Sequence, residues 1–203
     1  MKLGPQYKIC RMVGDRIFPK CQTTKFAISG TKRRSTKRPP RPKTEYGLQL
    51  LEKQKARYSY CMTERQFSRY VKQSQTAGKE NPSLYLYKLL ESRLDNVVFR
   101  LGLVPSRRFA RQIIAHGHIT INGRRMSIPS YQVRQGDVIA ARAGSTESGL
   151  FKNIEERNKG YAPPEWLGVD YGTLSGKVSG APGAGQMEAN IKFGTIIEFY
   201  SRV

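Results

Sequence analysis

The stretch from Ser92 to Arg142, SRLDNVVFRLGLVPSRRFARQIIAHGHITINGRRMSIPSYQVRQGDVIAAR, most constrains what this chain can fold into. Its apolar period switches from helical to alternating within fifty residues. Leu94, Val97, Val98 and Leu101 fall at i, i+3, i+4 and i+7, one stripe of a helix. Ser92 is its expected N-cap and Gly102 its expected stop. Ser106 predicts the cap of a second helix through Phe109, Ala110, Ile113 and Ile114, ended by Gly117. Ile119 and Ile121 then alternate with polar residues, and Asn122-Gly123 is a strong hairpin signal. A turn at Gln135-Gly136-Asp137 leads into a last strand, Val138-Ile139-Ala140. Two short helices on a small antiparallel sheet follow, an α+β unit.

Arg107, Arg108 and Arg111 lie three and four apart and are expected to face outward from the second helix. Guanidinium forks bind phosphate oxygens in pairs and stay charged at any working pH. The chain as a whole needs such a partner. Net charge is +21 over 203 residues, with 16 basic and 3 acidic side chains in residues 1–60 and 14 and 5 in residues 61–143. Residues 144–203 hold 6 and 7, so the positive field belongs to the first two-thirds. Such self-repulsion calls for a polyanion: nucleic acid leads, and an anionic membrane is the weaker candidate. An arginine row beside a short hairpin suits the phosphates of folded RNA, with no DNA partner expected. No apolar run of about 18 residues exists to span a membrane, and the first residues lack the apolar core of a secretory signal. The expected compartment is the cytoplasm.

Ahead of this stretch, residues 1–45 read as an extended basic arm. Thr31–Lys43, TKRRSTKRPPRPK, has seven basic residues, three prolines and no acid, a composition that cannot bury a core. Cys10 and Cys21 raise the question of zinc, but structural zinc needs two close pairs of Cys or His, and His116 and His118 are remote in sequence. The reading is no metal and no cofactor. From Tyr46 to Val71, Leu48, Leu51, Lys55, Tyr58 and Met62 recur at roughly helical spacing, with basic and aromatic side chains interleaved. That mixture pairs with phosphates and stacks on bases. Leu86, Leu89 and Leu90 mark the buried side of a further helix. Ala143–Gly149 reads as a flexible link, Phe151–Lys159 as a short charged helix and Trp166 as a packing anchor. Five glycines and a proline between Gly172 and Gly185 predict long turns with little regular structure, and an apolar run closes at Tyr200.

Two ordered signatures, YGxQLxEKQKxRxxYxxxERQF and then RLDNVVxRLG, SRxxARQ, HGHIxxNG and IPSYxVxxGDVI, resemble those of the bacterial-type small-subunit ribosomal protein four family. The second group resembles the small RNA-binding domain first described there. The usual Pro-Gly-Gln-His-Gly segment of the arm is missing, with only Ile28-Ser29-Gly30 near its place. The resemblance implies an α+β protein with a discontinuous helical body, 46–91 plus about 186–203. The RNA-binding domain, 92–143, would be inserted into it, and 144–185 would form a glycine-rich extension packed on that domain.

The resemblance further implies a structural constituent of the small ribosomal subunit. Such a protein binds a helix junction in the 5′ domain of ribosomal RNA, nucleates assembly of the subunit body and supports accuracy beside small-subunit protein five. Its expected ribosomal RNA contacts are Lys53, Lys55, Arg57, Arg65, Arg93, Arg107, Arg108, Arg111, His116 and Arg124. Arm residues Arg33, Arg34, Lys37, Arg38, Arg41 and Lys43 would lie near the messenger RNA entrance. The alternative is a free-standing RNA-binding regulator, either a translational repressor or a ribosome-assembly factor. Arg93-Leu94-Asp95 also resembles the segment carrying the catalytic aspartate of pseudouridine synthases. Asn96-Val97-Val98 follows here instead of their Thr/Ser, Gly and Leu, so Asp95 is expected to serve the first turn of a helix and the protein not to be an enzyme.

Overall fold

The computed structural model describes residues 4–24, 26, 44–78, 81–146, 149–151, 154–158, 160–183, 185 and 190–202. The chain divides into two compact units, Met1–Leu86 with Glu188–Val203, and Tyr87–Met187.

In the first unit, helix α1 spans Gln6–Val13 and ends on Gly14, whose φ of 79° lets its N–H reach the Cys10 carbonyl. A 3₁₀ turn at Pro19–Cys21 follows. Ile9, Cys10, Phe18, Cys21 and Phe26 close a small core, with Tyr7 stacked on Phe26 at 5.2 Å. The start of the expected extended arm is therefore folded. Apolar residues at the two ends of the segment find one another, a long-range pairing that local composition does not reveal.

Helix α2 spans Glu45–Ser59 and α3 spans Glu64–Thr76. Thr44 accepts from the Gly47 N–H at 3.2 Å and Thr63 from the Gln66 N–H at 3.4 Å, so each helix opens on a threonine cap. The buried face of α2 is Gln49, Lys53 and Ala56, while Leu48 is 52% exposed. The stripe read from Leu48 is thus rotated by about one residue. Helix α4, Pro82–Glu91, contains the division between the units and buries Leu86, Tyr87 and Leu90, with Leu89 half-buried. The last helix, α9, Phe193–Ser201, buries Phe193, Ile196 and Phe199 and packs on α2 and α3. Tyr200 Oη donates to Glu64 Oε1 at 2.6 Å, fixing the closing helix to the start of α3.

The second unit begins with α5, Leu94–Arg100, and α6, Arg107–Ala115. The N-cap of α5 is Arg93, one residue later than expected, and it makes no side-chain cap bond. Ser106 caps α6 by accepting from the Phe109 N–H at 3.2 Å. Strands β1, Ile119–Ile121, and β2, Arg124–Met126, are joined by Asn122-Gly123, both at positive φ as a two-residue primed turn requires. Strand β3, Val138–Ala141, pairs with β1, and Asn122 Oδ1 accepts from the Val138 N–H at 2.9 Å.

After β3 come two short helices, α7, Ala143–Thr146, and α8, Ile154–Arg157. The first of them occupies the segment read as a flexible link. Asn158 Nδ2 and Arg157 Nη2 donate to the Gly102 carbonyl, and Tyr161 Oη donates to that of Arg100, satisfying the C-terminal end of α5.

Within the glycine-rich region, where long turns are predicted, Ser175–Val178 is instead a strand, β5, which forms a hairpin with β4, Leu167–Asp170, just ahead of it. The antiparallel sheet runs β2-β1-β3-β5-β4. Gly176 explains why a glycine sits inside a strand: a Cβ there would collide with both Leu101 methyls, so its absence lets β5 lie against α5. The core joins Leu94, Val97, Val98 and Leu101 of α5 to Ile113 and Ile114 of α6, Ile119 and Ile139 of the sheet, and Trp166, which is buried as expected.

Candidate nucleic-acid interface

The arginines read from sequence separate by location. On α6, Arg108 lies opposite the buried face of Ala110, Ile113 and Ile114, while Arg107 and Arg111 run along one edge of that face. Arg108 is exposed. Arg107 and Arg111 are half-buried, because α5 offers each a polar acceptor. Arg107 Nε donates to Asn96 Oδ1 at 2.7 Å, and its guanidinium lies 4.7 Å from the Phe99 ring centroid. Arg111 Nη1 donates to Asp95 Oδ2 at 2.8 Å. The expectation that all three simply face out is corrected for these two.

Arg93 is corrected further. It is 0% exposed and grips Asp95 with two bonds, Nε to Oδ1 at 3.0 Å and Nη2 to Oδ2 at 2.7 Å. A guanidinium sealed in the core cannot reach a phosphate, so Arg93 leaves the RNA-facing set. Asp95, 2% exposed, does more than favour a helix dipole, since its carboxylate is shared by Arg93 and Arg111. Beside it, the buried Glu91 carboxylate accepts from Arg100 Nε and Nη2 and from Asn96 Nδ2. Charges this deep persist because each is paired and hydrogen-bonded.

At the far end of α6, His116 is exposed and its carbonyl accepts from Arg125 Nη2 at 3.2 Å. His118 Nδ1 lies 2.9 Å from the buried Ser145 Oγ. Gly117 has φ +77°, and a Cβ there would strike the Arg125 guanidinium, which covers this turn. Arg124 and Arg125 are both exposed on β2 and project to opposite sides of the strand. Arg125 was missed in the sequence, although an arginine pair directly after a two-residue hairpin turn signals it. Arg134 and Arg142 are exposed as well.

In the first unit the cations of α2 are engaged inside the protein. Lys53 is buried, its Nζ 2.9 Å from Glu64 Oε1, which contradicts its expected RNA contact for the same reason as Arg93. Lys55 Nζ is 2.7 Å from Asp15 Oδ2. Arg57 Nη2 donates to Gln54 Oε1 at 2.7 Å and its guanidinium stands 4.4 Å from the Tyr58 ring centroid. Burial pushes the Glu64 carboxyl up, but the Tyr200 hydroxyl, Lys53 and Arg57 outweigh it and hold the group below its ordinary value. Exposed cations of this unit include Arg65, Arg69 and Lys72 of α3, which follow at i, i+4 and i+7, and Lys8, Arg11, Arg16 and Lys20 nearer the start of the chain. Arg33, Arg34, Lys37, Arg38, Arg41 and Lys43 lie outside the described residues.

Cys10 and Cys21 meet in the small core. Burial first, and then the hydrogen bond to Cys10, push the Cys21 thiol up to about 12. Among the described residues no group of three or more His, Cys, Asp or Glu is placed to hold a metal ion, and no helix is long and apolar enough to cross a membrane.

Comparison with known proteins covers both units. Residues 2–91 match the family described as the ribosomal protein S4/S9 N-terminal domain, and residues 92–139 match the S4 domain. Small ribosomal subunit protein uS4 of Halothermothrix orenii is 41% identical over 98% of both chains. The uS4 proteins of Roseiflexus castenholzii and Dehalococcoides mccartyi are 44% and 41% identical, again over 98% of each chain. With identity above 40% from end to end and both domain matches in order, this chain belongs to the uS4 family of small ribosomal subunit proteins.

Proposed function

We propose that the chain is a structural constituent of the small ribosomal subunit and binds its ribosomal RNA. The observation that carries this reading is the match to small ribosomal subunit proteins over 98% of both chains. The distribution of charge supports it: Arg108, Arg124 and Arg125 are exposed in the second unit, and Arg65, Arg69 and Lys72 in the first. Arg107 and Arg111 are half-buried on α6, with part of each side chain still accessible. Fixed cations on small helical and hairpin scaffolds recognise phosphate positions and helix shape, with counterion release supplying affinity. The chain acts by binding and not by turnover.

In finer terms, the protein binds early at a helix junction of the 5′ domain and nucleates the subunit body. It adjoins small-subunit protein five, and its segment from Arg33 to Lys43 lies by the path of messenger RNA. Sedimentation of a lysate in high salt tests the reading. The chain is expected in stoichiometric amount with small subunits and whole ribosomes. Release by salt to the top of the gradient would overturn it in favour of a free-standing regulator.

A further inference from the structure

The cluster around Asp95 divides labour among three charges. Arg93 is 0% exposed and cannot touch a ligand, yet it makes two of the three hydrogen bonds to the Asp95 carboxylate. Arg111 makes the third, through Nη1 at 2.8 Å, and keeps 24% of its side chain exposed. Its Nε and Nη2 make no hydrogen bond to a described residue. One carboxylate between two guanidinium groups leaves a net charge of +1 in the cluster. Were Asp95 paired with Arg111 alone, the pair would be neutral and would add little to attraction for a polyanion.

We propose that Asp95 is a positioning residue for RNA binding, which holds the Arg111 guanidinium ready for a phosphate while the buried Arg93 neutralises the carboxylate and leaves the outward charge intact. This rests on the reading of α6 as an RNA-facing surface. The advantage is preorganisation. A long side chain free to rotate loses that freedom on binding, whereas one already clamped has little left to lose.

The test exploits a conflict of sign. Asp95→Asn raises the net charge, so bulk electrostatics demands tighter RNA binding. Positioning demands weaker binding, by about two- to tenfold, the equivalent of ordering one rotamer-rich side chain. Affinity of the full chain for a transcript of the 5′ domain of bacterial small-subunit ribosomal RNA is measured at several salt concentrations. Asp95→Asn is expected to bind more weakly. Arg111→Lys, which keeps the charge but not the fork, is expected to lose most of what Arg111→Ala loses while preserving the salt slope.

Tighter or unchanged binding by a folded Asp95→Asn protein would overturn the proposal, as would wild-type binding by Arg111→Lys. Should Asp95→Asn unfold, as read by Trp166 fluorescence, the Lys-against-Ala comparison at position 111 decides alone. Wild-type affinity of Arg111→Ala at every salt concentration would instead remove Arg111 from the interface, and the underlying reading with it.

Discussion

Removing Arg93 tests whether the buried charge cluster holds the second unit together. Arg93→Ala deletes a wholly buried guanidinium and leaves the Asp95 carboxylate, 2% exposed, with a single partner that is itself partly in solvent. Breaking a buried pair on one side costs about 3–5 kcal/mol, because the desolvation of the remaining charge is no longer compensated. Against a total stability of about 5–15 kcal/mol, that is about a fifth or more of what the fold has. With a urea slope of about 2 kcal/mol/M, the midpoint moves down by about 1.5–2.5 M. Trp166, the one tryptophan of the sequence, is 5% exposed in the core of this unit and reports its unfolding by fluorescence. Arg108→Ala, at an exposed position of the same helix pair, serves as control and should stay within about 0.5 kcal/mol. A loss below about 1 kcal/mol for Arg93→Ala, at unchanged slope, would refute the argument that Asp95 depends on it.

Three further outcomes are expected. Replacing Arg108 and Arg124 together by alanine should lower the slope of log affinity against log salt for the ribosomal RNA transcript by about two; an unchanged slope removes both from the contact. Gly176→Ala forces a methyl into Leu101 and should cost about 1–3 kcal/mol in the same urea experiment, whereas Gly123→Ala meets no atom within 4 Å and reports turn strain alone. The depressed Glu64 carboxyl contributes stability that is complete above its ordinary value of 4.5 and is lost as pH falls through the lower folded value. Circular dichroism between pH 6 and 3 should therefore show wild type losing more of its stability than Glu64→Gln, and parallel curves would contradict the assignment.

Local signals were the legible ones. Asn122-Gly123 places the hairpin because only residues tolerant of positive φ suit that turn, and Ser106 announces α6 because its hydroxyl has an orphan N–H to satisfy. What escaped depends on partners distant in the chain. The β4–β5 hairpin is short and glycine-bearing, and takes its regularity from pairing with β3 some forty residues earlier. Lys53 reads as a surface cation until Glu64 and the Phe199 ring are placed around it. Arg93 and Arg111 look equivalent in a list of arginines; the Asp95 carboxylate between them sends one inward and leaves the other partly out. The candidate interface was therefore legible as residue types on particular elements, but not as a choice of which guanidinium groups solvent can reach.

The sheet order also bears on where this protein can be cut. The S4 domain match stops at residue 139, inside β3, which runs from Val138 to Ala141 and is the central strand of five. A fragment ended there would carry half a strand and expose the edge that β5 covers, with a row of unpaired amides open to another copy. Autonomy and solubility of the isolated domain therefore depend on the hairpin at Leu167–Val178, and the shortest piece expected to stay monomeric reaches beyond it.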